Sequence, residues 1–213
     1  MQEFPKIETL YNRDEHTHKV IPSQLRLREF GHIKEWVISE KIDGTNVRIG
    51  YHDHTIELGG RTDQAQMPMV LVEYLRQTFT DERMGKVFDD ESSVTLFGEG
   101  YGEKIQSGGR YRSGVSFRLF DVLVGSWWLE RDTIIDIAAQ LSILVVPSFG
   151  SIDRLPQSVD DLKDMIGHDG RSMVAHQDNG PGVQAEGIVA RTVPLLKTRG
   201  GERLIWKLKF RDF

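Results

Sequence analysis

Apolar and polar residues alternate along this chain in short runs, and glycine ends most of them. "EWVISEKI" (35–42), "TNVRIGYHD" (45–53) and "TIELGGR" (55–61) follow one another with Asp43-Gly44 between the first two. Alternation of period two places every second side chain on one face, which fits a half-buried strand and not a helix. Residues 36–61 therefore predict an antiparallel meander turning at Asp43-Gly44. Further strands are expected at "SVTLFGEG" (93–100), "VSFRLFDVLV" (115–124), "ILVVPSFG" (143–150), "AEGIVART" (185–192) and "ERLIWKLKF" (202–210).

Helical spacing is confined to three places. "PMVLVEYLRQTF" (68–79) carries Pro68 near its first turn, and "RDTIIDIAAQLS" (131–142) is the second helix. A third starts at Ser158, whose hydroxyl can cap it while Asp161 completes a capping box. "VAHQDNGPG" (174–182) reads as a surface loop. The pattern is α+β, mainly antiparallel sheets with a few helices packed outside. The 213 residues are expected to form one domain, 1–213.

Composition removes several chemistries. The chain has no cysteine, which excludes disulfides, thiolate zinc sites and a catalytic thiol. It has no basic leader and no apolar run of membrane-spanning length, so the expectation is a cytoplasmic protein. A net charge of -5 argues against a uniformly basic nucleic-acid surface. Two local segments run the other way. Residues 104–118 hold Lys104, Arg110, Arg112 and Arg118 with no acid, and residues 191–211 hold seven Lys and Arg against Glu202. Such segments suit phosphate binding as well as a solvated surface. The histidine pairs His16/His18 and His52/His54 lack an evident third ligand, so a zinc site there is not expected. Trp127-Trp128 is expected to pack against the helix that follows. The N-terminal "FPKIETLYNRD" is a candidate cover for a binding pocket, and nothing in its residues dictates that role.

The candidate chemistry centres on Lys41, at a strand end two residues before Asp43-Gly44. A lysine amine is a nucleophile only when neutral. At pH 7.4 the neutral fraction of an ordinary lysine is on the order of one in a thousand, a handicap of about 4 kcal/mol, which a nearby cation would reduce. In "RLIWKLKF", Lys207 and Lys209 project from one strand face while Leu204, Trp206, Leu208 and Phe210 form the other. Glu99 and Glu186 each stand beside glycine, where a carboxylate can approach a divalent cation or a ribose.

These residues carry a resemblance. Lys41-Ile-Asp-Gly-Thr-Asn46 resembles motif I of the covalent nucleotidyltransferases, the polynucleotide ligases and capping enzymes, and its Gly-Thr-Asn continuation resembles the RNA ligase 2 branch. "GGRTD" around Arg61 is similar to motif Ia, "LFGEGYG" around Glu99 to motif III, and "FRLFDVL" around Phe120 to motif IIIa. "AEGIVA" around Glu186 resembles motif IV and "WKLKF" motif V. The six elements stand in the family's order over residues 41–209.

The resemblance implies an ATP-grasp-like ligase adenylation domain and an ATP-dependent RNA ligase using Mg2+ or Mn2+. Lys41 would attack the α-phosphorus of ATP and become lysyl-AMP. Asp43, Gly44, Asn46 and Arg61 would contact the nucleotide, Glu99 the ribose, and Phe120 would stack on adenine. Glu186, with Glu99, would serve the metal, while Lys207 and Lys209 would bind the α-phosphate and lower the pKa of Lys41. The implied partner is RNA with 5′-phosphate and 3′-hydroxyl ends, a nicked duplex being one form of it, engaged without a C-terminal accessory domain. The loop 103–114, basic and bearing Tyr111, is a candidate RNA contact. A DNA ligase, a guanylyltransferase and a non-catalytic nucleotide- or RNA-binding module on the same fold remain open.

Overall fold

A computed structural model describes residues 1–88 and 93–213. The chain begins with β1 (Glu8–Thr9), β2 (Tyr11–Arg13), β3 (Val20–Leu25), β4 (Trp36–Lys41), β5 (Thr45–His52) and β6 (Thr55–Gly59). Helices α1 (Met69–Thr78) and α2 (Asp81–Gly85) lead to β7 (Val94–Gly102), β8 (Val115–Val124) and β9 (Trp127–Trp128). Then come α3 (Arg131–Gln140), β10 (Leu144–Val145), β11 (Ser148–Ile152), α4 (Val159–Ile166) and α5 (Met173–Gln177). The chain closes with β12 (Gly187–Arg191) and β13 (Ile205–Lys209). Sheets dominate and helices are few, as the α+β reading expects.

The residues sort into two compact units, one of Met1–Pro5 and Asp43–Val146, the other of Lys6–Ile42 and Pro147–Phe213. The first unit holds the sheet β10-β8-β7-β5-β6, with β9 paired to β8. One face of this sheet buries Val47, Ile49, Leu96, Phe117, Leu119 and Val122 against Leu71 and Leu75 of α1 and Ile134 and Ile137 of α3. The second unit holds the sheet β1-β13-β12-β4-β11 and the pair β2-β3. Its core joins Trp36 and Ile38 of β4, Ile188 and Ala190 of β12, Trp206 and Leu208 of β13, and Leu162 and Ile166 of α4. Ser158 accepts from the Asp161 N–H at 3.1 Å, and the Asp161 carboxylate accepts the Gln157 N–H at 2.9 Å, which realises the expected cap.

Four sequence expectations are corrected. The meander does not turn at Asp43-Gly44: β4 pairs with β12 and β11, whereas β5 pairs with β6 and β7. A two-residue hairpin of this kind needs positive φ, and neither Asp43 nor Gly44 has it. Gly44 is required for space, since a Cβ there would stand 2.4 Å from the Gly100 carbonyl oxygen. The hairpin lies ten residues later, at Asp53 and His54, with φ of 47° and 56°. The run 143–150 is likewise two strands. Leu144–Val145 pairs with β8, Pro147 interrupts because it has no N–H to donate, and Ser148–Ile152 pairs with β4.

The third correction is α5, where a loop was expected. Ser172 Oγ accepts from the Ala175 N–H at 3.0 Å and the buried Glu40 carboxylate accepts from the Val174 N–H at 3.0 Å, so the first-turn donors are satisfied. Val174 and Ala175 are buried on the inner side. Fourth, Trp127 is 77% exposed instead of packed on the following helix, while Trp128 packs on Phe97 and Phe4, at ring-centroid distances of 5.2 and 5.8 Å.

Candidate active site

In the second unit, the core-facing parity of β12 and β13 dictates where the charges stand. Trp206 and Leu208 enter the core, which leaves Lys207 and Lys209 on the opposite face, as the alternation predicts. Cα registry places Gly187 of β12 beside Lys41 of β4 on one side and Lys209 of β13 on the other. A Cβ on Gly187 would stand 2.1 Å from the Leu208 carbonyl oxygen, so the close approach of these strands demands glycine. Glu186 immediately precedes it. Its Oε2 lies 2.7 Å from Lys41 Nζ, and its Oε1 pairs with Lys209 Nζ. The three side chains are only 10–20% exposed.

Sequence reasoning called for a cation beside Lys41, and the structure refines that picture. Lys209 and Lys41 are joined through the shared Glu186 carboxylate, with Lys41 Nζ also donating to the Ile42 carbonyl at 3.4 Å. Behind them, the buried Asp212 carboxylate accepts the Lys209 N–H at 2.9 Å and Arg13 at 2.8 Å, and Phe210 donates its N–H to the Glu186 carbonyl at 3.1 Å. Backbone and side-chain bonds therefore fix where Glu186 and Lys209 leave their strands. Neither Asp212 nor Glu40 was legible as important in the sequence, because Arg13, which pairs with Asp212, and Ser172 and Val174, which bond Glu40, come from distant segments.

In the first unit, the face of the sheet away from the α1/α3 core is charged. Registry aligns Asn46 of β5, Glu99 of β7 and Arg118 of β8 in one row, and Arg48, Phe97 and Asp121 in the next. Arg48, Arg118 and Asp121 are essentially fully buried. Arg118 Nε donates to the Tyr101 hydroxyl at 2.9 Å. Phe120 falls in a bulge, since Phe97 pairs with Asp121 while Gly98 pairs with Leu119. The bulge resets parity. Strict alternation would put Asp121 on the face of Phe117 and Leu119, but past the bulge Val122 takes that place in the core. Phe120 is half-buried and meets the edge of Phe4 at 5.1 Å. Phe4 thus packs on an aromatic patch of Phe97, Phe120 and Trp128.

Arg61 is exposed just beyond β6. Tyr111 is buried, and its hydroxyl accepts the Asp43 N–H at 3.1 Å, so this ring braces motif I and is no exposed platform for bases. Lys104 and Arg110 of the same loop face solvent. His54 Nδ1 lies 3.1 Å from Asp81, and among the described residues no group of three or more His, Cys, Asp or Glu is placed to hold a metal. Among these residues no helix is long and apolar enough to cross a membrane.

The two units define a class of protein: an α+β chain with a lysine at a strand end, held by a carboxylate that a second lysine shares. A family model for RNA ligase matches residues 34–209, and the chain belongs to the RNA ligase family. Its fold matches Naegleria gruberi RNA ligase. A mutant of that enzyme with ATP and Mn superposes with a TM-score of 0.66 at 17% identity, over 98% of this chain and 56% of that one. The same ligase with PPi gives 0.63 at 18% identity, over 97% and 57%. The chain spans a little over half the length of these ligases. No curated protein matches it.

Proposed function

We propose that residues 1–213 act as one nucleotidyltransferase domain of an ATP-dependent RNA ligase, with Lys41 as the nucleophile. The observation that carries this reading is the row Lys41, Glu186, Lys209 at the ends of adjacent strands. Lys41 Nζ, once deprotonated, attacks the α-phosphorus of ATP. The new N–P bond forms as the bond to pyrophosphate breaks, leaving lysyl-AMP. Lys207 and Lys209 neutralise the charge that develops on the phosphates, the main task in phosphoryl-type transfer.

Asp43, Gly44, Asn46 and Arg61 are assigned to the nucleotide and phosphates, Glu99 to the ribose and Phe120 to the adenine. The ligand set suits magnesium, which binds one or two carboxylates and completes its shell with water and phosphate oxygens. Glu186 would hold it, with Glu99 the second candidate carboxylate; Mn2+ is the alternative ion. The ion would supply charge neutralisation at the leaving pyrophosphate. On holding the ion, Glu186 would give up its pairing with Lys41, and the amine would lose the carboxylate that favours its protonated form. In the following steps AMP passes to an RNA 5′-phosphate, and a 3′-hydroxyl displaces it to seal the strand. Lys104 and Arg110 are the candidate backbone contacts.

The test is incubation with α-labelled ATP or α-labelled GTP and magnesium, followed by denaturing electrophoresis of wild type and Lys41→Ala. Label from ATP that disappears in the variant is the expected result. Label from GTP would move the reading to capping chemistry, and label from neither to a non-catalytic binding module. Sealing assayed on nicked RNA and nicked DNA separates the two ligase classes.

A further inference from the structure

Arg48 is wholly buried on β5, on the charged face of the first unit's sheet. Its Nε donates to the Gly60 carbonyl at 2.6 Å, its Nη1 to the Met1 carbonyl at 3.1 Å and its Nη2 to the Asp63 carboxylate at 2.8 Å. Gly60 and Asp63 flank Arg61 in the chain. The surrounding residues are shaped to this guanidinium. A Cβ on Gly59 would stand 3.1 Å from Arg48 Nη2, and one on Gly60 would stand 2.9 Å from the Ala65 Cβ. A turn closed by the Ala65 N–H on the Thr62 carbonyl at 3.1 Å completes the loop. "GGRTD" is therefore a loop folded around a buried arginine from the neighbouring strand, with Arg61 left exposed at its tip.

We propose that Arg48 is a positioning residue for Arg61, holding residues 60–63 so that the Arg61 guanidinium is presented to the phosphates of the bound nucleotide. The inference rests on the assignment of Arg61 to phosphate contact. Arg48 itself touches no substrate, because its side chain is out of reach of solvent and each of its three nitrogens donates to a protein acceptor. The Asp63 side chain is 77% exposed, so its bond to Arg48 ties an otherwise solvated loop residue to a guanidinium fixed in the interior. The planar fork matters because two acceptors three residues apart are fixed at once, which a lysine ammonium does not do with the same geometry.

The experiment combines proteolysis with kinetics on the full chain. Trypsin cuts after Arg61 only when the loop opens, so Arg48→Lys is expected to speed cleavage at Arg61-Thr62 by about tenfold, and Asp63→Asn by less. This readout requires no nucleotide. In self-adenylation with labelled ATP, Arg48→Lys is expected to lower kcat/KM by about tenfold, with Arg61→Ala lower still. The double variant should be no worse than Arg61→Ala alone. Unchanged cleavage in Arg48→Lys, or losses that multiply in the double variant, would overturn the proposal. Full activity of Arg61→Ala would overturn it by a separate route, removing the role of Arg61 while the loop still opens. A wild-type chain that takes no label refutes the ligase reading, and the proteolysis then decides whether Arg48 fixes the loop.

Discussion

The charged groups of the two units are held in opposite ways. In the second, Lys41, Glu186 and Lys209 satisfy one another at strand ends, each 10–20% exposed, through contacts that a ligand or cation can exchange. In the first, Arg48 and Arg118 lie fully inside, bonded to backbone carbonyls and a tyrosine hydroxyl. Breaking one partner of such a buried group strands a charge in low dielectric, whereas trading one ion-pair partner for another at a partly wet strand end is far cheaper. One arrangement suits chemistry, and the other suits holding a loop in place.

Substitutions can break or sharpen that contrast. Lys41→Ala should abolish covalent labelling by ATP, a loss of at least about a thousandfold by radiolabel assay, while the melting temperature stays within a few degrees. Retained label in that variant would show that another residue is the nucleophile. Glu186→Gln keeps the shape but removes the anion both lysines share, and should lower adenylation about a hundredfold. Measured across a magnesium titration, the deficit should persist at saturating metal.

Gly187→Ala tests the backbone that sets the trio. Its new Cβ meets the Leu208 carbonyl, so chemical denaturation should show a loss of about 2–4 kcal/mol. Phe4→Ala removes the ring that packs on Phe97, Phe120 and Trp128 and should cost about 2–3 kcal/mol by the same measurement. The smallest effect is electrostatic. The hydrogen bond from Arg48, followed by its charge, holds the Asp63 carboxyl below the ordinary aspartate value of 3.8. A carboxylate lowered on folding contributes stability above its unfolded pKa and loses it as pH falls through the folded one. An NMR titration should therefore place Asp63 in Arg48→Lys nearer the ordinary value, with the change confined to the acid range below about pH 4.

Local pattern was sufficient wherever a side chain answers only to its own strand or helix. The alternation Trp206, Leu208 against Lys207, Lys209 follows from a period of two and a single apolar core, and Ser158 and Asp161 cap α4 through neighbours three residues away. Spacing, order and residue chemistry accordingly brought Lys41, Glu99, Glu186, Lys207 and Lys209 forward as candidates, and the RNA ligase family match covers the same stretch. Pairing partners were beyond that reach. Whether Asp43-Gly44 turns a hairpin depends on φ and on the space beside Gly100, and whether 174–177 forms a helix depends on Glu40, more than 130 residues earlier. The bulge at Phe120 and the burial of Arg48 are likewise set by which strands meet, because a strand's parity and a charge's partners are properties of the neighbours, and the sheet alone brings those neighbours together.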